Sequence, residues 1–238
     1  SGKAHALPLP FLNRWGLIIY DEAHHVSARI FCRAANLFRG RRLALTATAK
    51  RNDGLERIYQ YHLGGVYYKD TVQTLSPKIT FLHLTKVIPP KRATEEDVYL
   101  KNWIAKNPVF NNVAANRIQA AVDAGRTVMA LSHRKVQLEI LEAQLPLARL
   151  VHGGISLDVR QESLQEGNPV LGTMQLAREG LDRPALDTLF VLTLFSNEND
   201  FEQTLGRILR THEGKKHPHV YFLVPSAGRC VSQARRLR

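Results

Sequence analysis

The chain has 238 residues, 44% of them apolar, and its 33 Lys and Arg against 21 Asp and Glu give a formal charge of +12 and a pI near 10.0. No apolar run approaches the ~20 residues that cross a bilayer; Ser1-Gly2-Lys3-Ala4-His5 does not form a secretion signal, and Cys32 and Cys230 have no metal-ligand spacing. These features argue against a disulfide scaffold, a zinc module and a helical membrane protein, and they predict a cytoplasmic or nucleoid-associated protein. The basic excess predicts attraction to a polyanion, of which nucleic acid is the commonest; a basic soluble surface with no specific partner is the plainer alternative.

In chain order, Leu17-Ile18-Ile19-Tyr20 and Leu43-Ala44-Leu45 predict buried strands, and Val66-Tyr67-Tyr68, after Gly64-Gly65, a third. Further strands are predicted at Ile79 to Leu84, Val128 to Leu131, Arg149 to His152, Val170-Leu171, Leu189 to Leu194 and Val220 to Val224. Ala114, Ile118, Ala121 and Val122 recur at helical spacing before Gly125, and Leu138, Leu141 and Leu145 make a second stripe before Pro146. Strands alternating with helices imply an α/β fold with a parallel sheet covered on its faces. The stretch from Asp70 to Pro77 shows neither period and marks a boundary, giving domains 1–72 and 73–238; Pro89-Pro90-Lys91-Arg92 reads as a surface loop.

Asp21-Glu22-Ala23-His24-His25 directly follows the first strand. Carboxylates at the C-terminal end of a parallel strand sit where α/β sheets bind ligands. There an Asp can hold Mg²⁺ through water, and the neighbouring Glu can orient or deprotonate an attacking water. A polar strand end is the bland reading of an isolated Asp-Glu pair. Downstream, Leu45-Thr46-Ala47-Thr48-Ala49 ends the second strand. In Phe201 to Arg210, helical spacing sets Phe201, Leu205, Ile208 and Leu209 on one face and Gln203, Arg207 and Arg210 on the other. Two convergent guanidinium groups suit a triphosphate, although a basic face can also simply meet solvent.

With these residues in place, the sequence resembles the DEAH/DEAD-type helicases of superfamily 2. The Asp-Glu-Ala-His segment is similar to their motif II, Thr46-Ala47-Thr48 to motif III and Gln203-x-x-Gly206-Arg207-x-x-Arg210 to motif VI. Gly172-Thr173, followed by Gly180-Leu181-Asp182, resembles motif V, Leu131-Ser132-His133-Arg134 motif IV, and Val151-His152-Gly153-Gly154 the backbone-gripping loop that follows. Lys50-Arg51-Asn52-Asp53-Gly54-Leu55 is similar to the branch of DNA-repair and phage recombination helicases, which favours DNA over RNA. The resemblance implies two RecA-like lobes with parallel sheets, the first lobe incomplete, and ATP with Mg²⁺ in the cleft between them. It assigns Asp21 to Mg²⁺, Glu22 to the attacking water and Arg207 and Arg210 to the transferred phosphoryl group. Gln203 and His24 would link the site, with Gly180 and Asp182 at the nucleotide. Ser132, His133, Arg134, Gly153 and Thr173 would meet nucleic acid, and Thr46 and Thr48 would couple the two.

One departure bears on activity. The sequence contains no Gly-x-x-x-x-Gly-Lys-Ser/Thr loop; Ser1-Gly2-Lys3 looks like a remnant, but Ala4 replaces the metal-binding hydroxyl. The expectation is therefore an N-terminally truncated enzyme whose turnover alone is very slow or nil. Its lobe-1 sheet edge would be exposed, or covered by a second copy, another chain or a missing N-terminal segment. The rival expectation is a nucleic-acid-binding or regulatory module that keeps the shape without hydrolysis.

Overall fold

A computed structural model describes residues 7–23, 26, 35–46, 54, 56–68, 76–91, 96–175, 183–193 and 211–236. The chain divides into two compact units, Ser1–Val72 and Gln73–Arg238.

In the first unit, helix α1 (Leu9–Asn13) leads into β1 (Leu17–Tyr20), which pairs in parallel with β2 (Arg41–Ala44); α2 spans Glu56–Leu63. The ladder continues past both strands: Leu45 N–H donates to the Tyr20 carbonyl and Ala23 N–H to the Leu45 carbonyl, each at 2.9 Å. Burial alternates along both strands, as a period of two requires. Ile18, Tyr20, Arg42 and Ala44 are the less exposed positions, and Tyr20 packs on a small core of Val26, Ala35 and Tyr59. Leu17, Ile19 and Leu43 are 53, 56 and 46% exposed, so these strands are buried on one face only. The expectation of fully buried strands fails here because the sheet is two-stranded and α2 packs against one side. Arg42 occupies an inward position by donating to the His62 and Phe38 carbonyls at 2.8 and 3.1 Å. Val66-Tyr67-Tyr68 forms no strand; strand-forming side chains without a neighbouring ladder leave Tyr67 wholly exposed.

The second unit is built on a six-stranded sheet in the order β3-β8-β7-β4-β6-β5, every pairing parallel. The strands are β3 (Lys78–Leu84), β4 (Val128–Ser132), β5 (Arg149–Val151), β6 (Val170–Thr173), β7 (Thr188–Val191) and β8 (His219–Pro225). Every residue of β4 and β7 is buried, as expected of central strands covered on both faces. The helices are α3 (Asp97–Lys106), α4 (Pro108–Asp123), α5 (Lys135–Glu142), α6 (Leu157–Glu166) and α7 (Gly228–Arg236).

Helix α4 shows how the sequence sets these bounds. Asn107 caps its start by accepting from the Phe110 N–H at 2.9 Å, Pro108 fills the first helical position, and Phe110, Ala114, Ile118 and Ala121 make the buried stripe. Gly125, at φ 66°, closes the far end with Gly125 N–H to the Val122 carbonyl at 2.8 Å and Arg126 N–H to the Ala121 carbonyl at 3.1 Å.

The edge of the sheet where the strands begin is tied up internally. The Arg126 guanidinium lies 3.3 Å from Asp187 Oδ1, donates to the His217 carbonyl at 2.6 Å and to the Thr188 hydroxyl, which itself donates to Asp187 Oδ1 at 2.7 Å. Asn168 bridges β4 and β6 through the Val128 N–H and the Arg126 carbonyl, both at 2.9 Å. His219 is hydrogen-bonded to Thr80 at 2.8 Å, and burial pushes its imidazole down to about 4, helped by the charges of Lys78, Arg126 and His217.

Candidate nucleotide and nucleic-acid site

In a parallel sheet all strands end on one edge, and there the chain turns outward and offers side chains to a ligand. In the first unit Asp21 and Glu22 follow the last residue of β1, and Thr46 lies two residues beyond the end of β2, its register neighbour. The Asp21 and Glu22 carboxylates and Thr46 thus stand at the ends of adjacent strands. Asp21 and Glu22 are exposed, and Asp21 Oδ1 accepts from the Glu22 N–H at 2.9 Å. Glu22 holds φ at 48°, the left-handed region that side chains other than glycine avoid. Below them the phenol of Tyr20 has its pKa raised by burial, partly offset by the Arg42 charge.

Mg²⁺ is commonly held by one or two carboxylates, several waters and substrate phosphates rather than by an all-protein cage. An exposed Asp at a strand end fits that donor pattern.

In the second unit the register aligns the ends of β4, β6 and β5. Ser132 pairs with Thr173, and Gly172 with Val151, so the loop carrying Gly153 begins beside them. Ser132, His133, Arg134, Gly153 and Thr173, widely separated along the chain, therefore meet on one edge across adjacent strands. Gly153 is exposed, and an added Cβ would meet nothing within 4 Å, which leaves the backbone open to a close approach. His152 Nδ1 accepts from the Gly154 N–H at 3.0 Å and holds the turn.

Ser132 itself is turned inward. Its hydroxyl is buried, donates to Gln137 Oε1 at 2.6 Å and accepts from the Arg134 N–H at 3.0 Å. Gln137 Nε2 donates to Asn111 Oδ1 at 3.0 Å, and Asn111 Nδ2 to the Ala105 carbonyl at 2.9 Å. Ser132, Gln137 and Asn111 are each 1% exposed, so this relay fixes the loop of His133 and Arg134 onto α5 and α4 from within. Sequence reasoning missed Gln137 and Asn111. The available signal was a polar residue, Asn111, directly after Phe110 and one turn before Ala114 on the apolar side of α4. His24, Thr48, Gly180, Asp182, Gln203, Arg207 and Arg210 lie outside the described residues.

Comparison with known proteins agrees with this topology. Residues 113–212 match the family described as "Helicase conserved C-terminal domain". Over 92% of this chain and 51% of its own length, "Probable helicase D10" of Escherichia phage T5 is 30% identical. "DNA 3'-5' helicase XPB" of Mycobacterium tuberculosis is 57% identical over 88% of this chain and 40% of its own length. The chain thus spans about half or less of the length of these relatives. In fold it is similar to "S. cerevisiae Dbp5 bound to RNA and ADP BeF3", with a TM-score of 0.59 and 12% identity over 95% of this chain and 57% of that one. Parallel topology, motif loops gathered at one sheet edge, the family match and these relatives together identify the chain as a member of the superfamily-2 helicases that carries their C-terminal lobe.

Proposed function

We propose that this chain is the part of an ATP-dependent DNA helicase or translocase that grips the strand and contributes to an ATP site between two lobes. The observation that carries the reading is the gathering of the loops after β4, β5 and β6 on one sheet edge, with a basic chain of net charge +12 behind them. Arg134, the exposed turn at Gly153 and the Thr173 hydroxyl would contact phosphates and sugar, contacts that position a strand without reading its sequence. Asp21 would hold Mg²⁺, which helps neutralise phosphate charge when bound; Glu22 would orient and deprotonate the attacking water. Arg207 and Arg210 would stabilise charge on the phosphoryl group, Gln203 and His24 would connect them to Glu22, and Gly180 and Asp182 would border the nucleotide. Thr46 and Thr48 would couple the two ends of the cycle. DNA is favoured because the relative named XPB, whose match covers 88% of this chain, is a DNA helicase by name.

Without a Gly-x-x-x-x-Gly-Lys-Ser/Thr loop the triphosphate lacks its backbone cradle, so this chain alone should bind DNA yet hydrolyse ATP very slowly or not at all. A second reading is a nucleic-acid-binding or regulatory module without hydrolysis. Two measurements test both. Affinity for single-stranded DNA should fall at least ~10-fold between about 50 and 200 mM salt. Phosphate release, measured with and without DNA beside Glu22→Gln, should be at background. Turnover that depends on Glu22 would show that the missing loop is dispensable, and salt-independent or absent DNA binding would sink the grip.

A further inference from the structure

The motif edge extends past the residues assigned so far. Helix α4 precedes β4 and joins it through a short turn at the edge where strands begin, so its first residues stand at the opposite, motif-bearing edge. There, between the end of α3 and the start of α4, lies a groove of about 410 Å³ lined by Pro90, Tyr99, Asn102, Trp103, Lys106 and Pro108. Tyr99 and Trp103 are one turn apart on α3 and share a face. Tyr99 is 47% exposed, while Trp103 is half-buried with one side against the core. No acidic side chain is among the described lining residues, Lys106 is exposed at the rim, and Lys91 follows Pro90. The Asp97 carboxylate, at the other end of α3, is held by Arg229 at 2.7 Å. The groove is also continuous with the relay behind Arg134. Asn107 caps α4 beside Pro108, and Asn111 N–H donates to the Asn107 carbonyl at 3.0 Å while its side chain bonds Gln137.

Aromatic faces beside lysines suit unpaired bases: the rings stack on any base, and the ammonium groups meet the adjoining phosphates. We propose that the Tyr99–Trp103 groove receives a nucleobase of the single strand held at the motif edge, extending the grip from sugar and phosphate to stacking. The proposal rests on the strand-gripping reading above. A proline-rich peptide is the other occupant an aromatic groove of this kind accepts. The groove's place at the start of α4, which the relay joins to the Arg134 loop, Lys106 at its rim and the +12 charge of the chain favour the strand.

The chain has two tryptophans, so Trp15→Phe leaves Trp103 as the single indole reporter. That variant would be titrated at low salt with a short oligothymidylate, with an abasic strand of equal length and with an oligoproline peptide, following Trp103 emission and strand anisotropy together. The expected result is quenching of Trp103 by the base-bearing strand, much less by the abasic strand and none by the peptide. Adding Tyr99→Ala, at an exposed position, should weaken oligothymidylate binding roughly 5-fold or more and leave abasic binding unchanged. If both strands bind alike with no quenching, and Tyr99→Ala changes nothing, the groove takes no base while the phosphate grip stands. If neither strand binds even at low salt, the grip and the groove fall together. Quenching by the peptide and not by the strand would replace the base with a protein partner and overturn the proposal.

Discussion

Gln137→Leu isolates the energetics of the buried relay. The substitution nearly preserves volume but removes both the acceptor of the Ser132 hydroxyl and the donor to Asn111 Oδ1, in surroundings where all three side chains are 1% exposed. Each orphaned buried polar group costs about 1–3 kcal/mol. Two of them, less a gain of ~1 kcal/mol from the more apolar side chain, give an expected loss of about 1–5 kcal/mol. Urea unfolding read by Trp103 emission in the Trp15→Phe background would report on the second unit. Ser132→Ala also removes the orphaned hydroxyl, so the double variant should lose less than the two single losses added, with a coupling of about 1 kcal/mol or more. A loss below about 1 kcal/mol for Gln137→Leu, or additivity within about 0.5 kcal/mol, would mean that water or rearrangement satisfies these groups. The relay would then not fix the Arg134 loop.

Two further outcomes follow from the packing. In Gly40→Ala the new Cβ would stand 2.3 Å from the Trp15 carbonyl oxygen and 2.6 Å from Ile18 Cδ1. Because the first of these is backbone and cannot swing away, the first unit should lose about 1–3 kcal/mol, read from Trp15 emission in a Trp103→Phe background; an unchanged unfolding midpoint would refute the contact. His219 is held neutral, with its pKa near 4 against an ordinary 6.5, so the unfolded chain binds the extra proton between those values. Its contribution to stability is complete above about pH 6.5 and is lost as pH falls toward 4. His219→Gln should therefore flatten the pH dependence of the unfolding midpoint in that window, and an unchanged slope would show that the imidazole is solvated.

The sheet of the second unit was legible because its central strands β4 and β7 are fully buried and so appear as uninterrupted apolar runs. Helix α4 was equally plain from its stripe and from Gly125. Helix α3 was not identified: Leu100 and Ile104 are buried at helical spacing, but Tyr99 and Trp103 beside them blur the stripe. Helix α6 offers less still, with Leu164 as its buried apolar side chain among the described residues. In the first unit the strands were found but their burial was overestimated, since a run such as Leu17-Ile18-Ile19-Tyr20 carries no record of whether a second layer covers it. The motif residues were legible as a pattern, but their assembly was not. Strand order β4-β6-β5 departs from chain order, and only the sheet shows that Ser132, Thr173 and the Gly153 turn are neighbours. Gln137 and Asn111 escaped notice because a buried amide looks, in sequence, like any polar helix residue until its partner is known.

The backbone of Glu22 sets two selective pressures against each other. At φ 48° a side chain is disfavoured by roughly 1–2 kcal/mol, a penalty that glycine would abolish and asparagine would reduce. Folding alone would therefore drift position 22 toward glycine or asparagine, and only a requirement for the carboxylate itself would hold glutamate there. If Glu22 has the proposed role at the attacking water, a lineage released from ATP turnover would be expected to lose this residue early, before the buried stripe of α4 or the bonds around Arg126 changed at all.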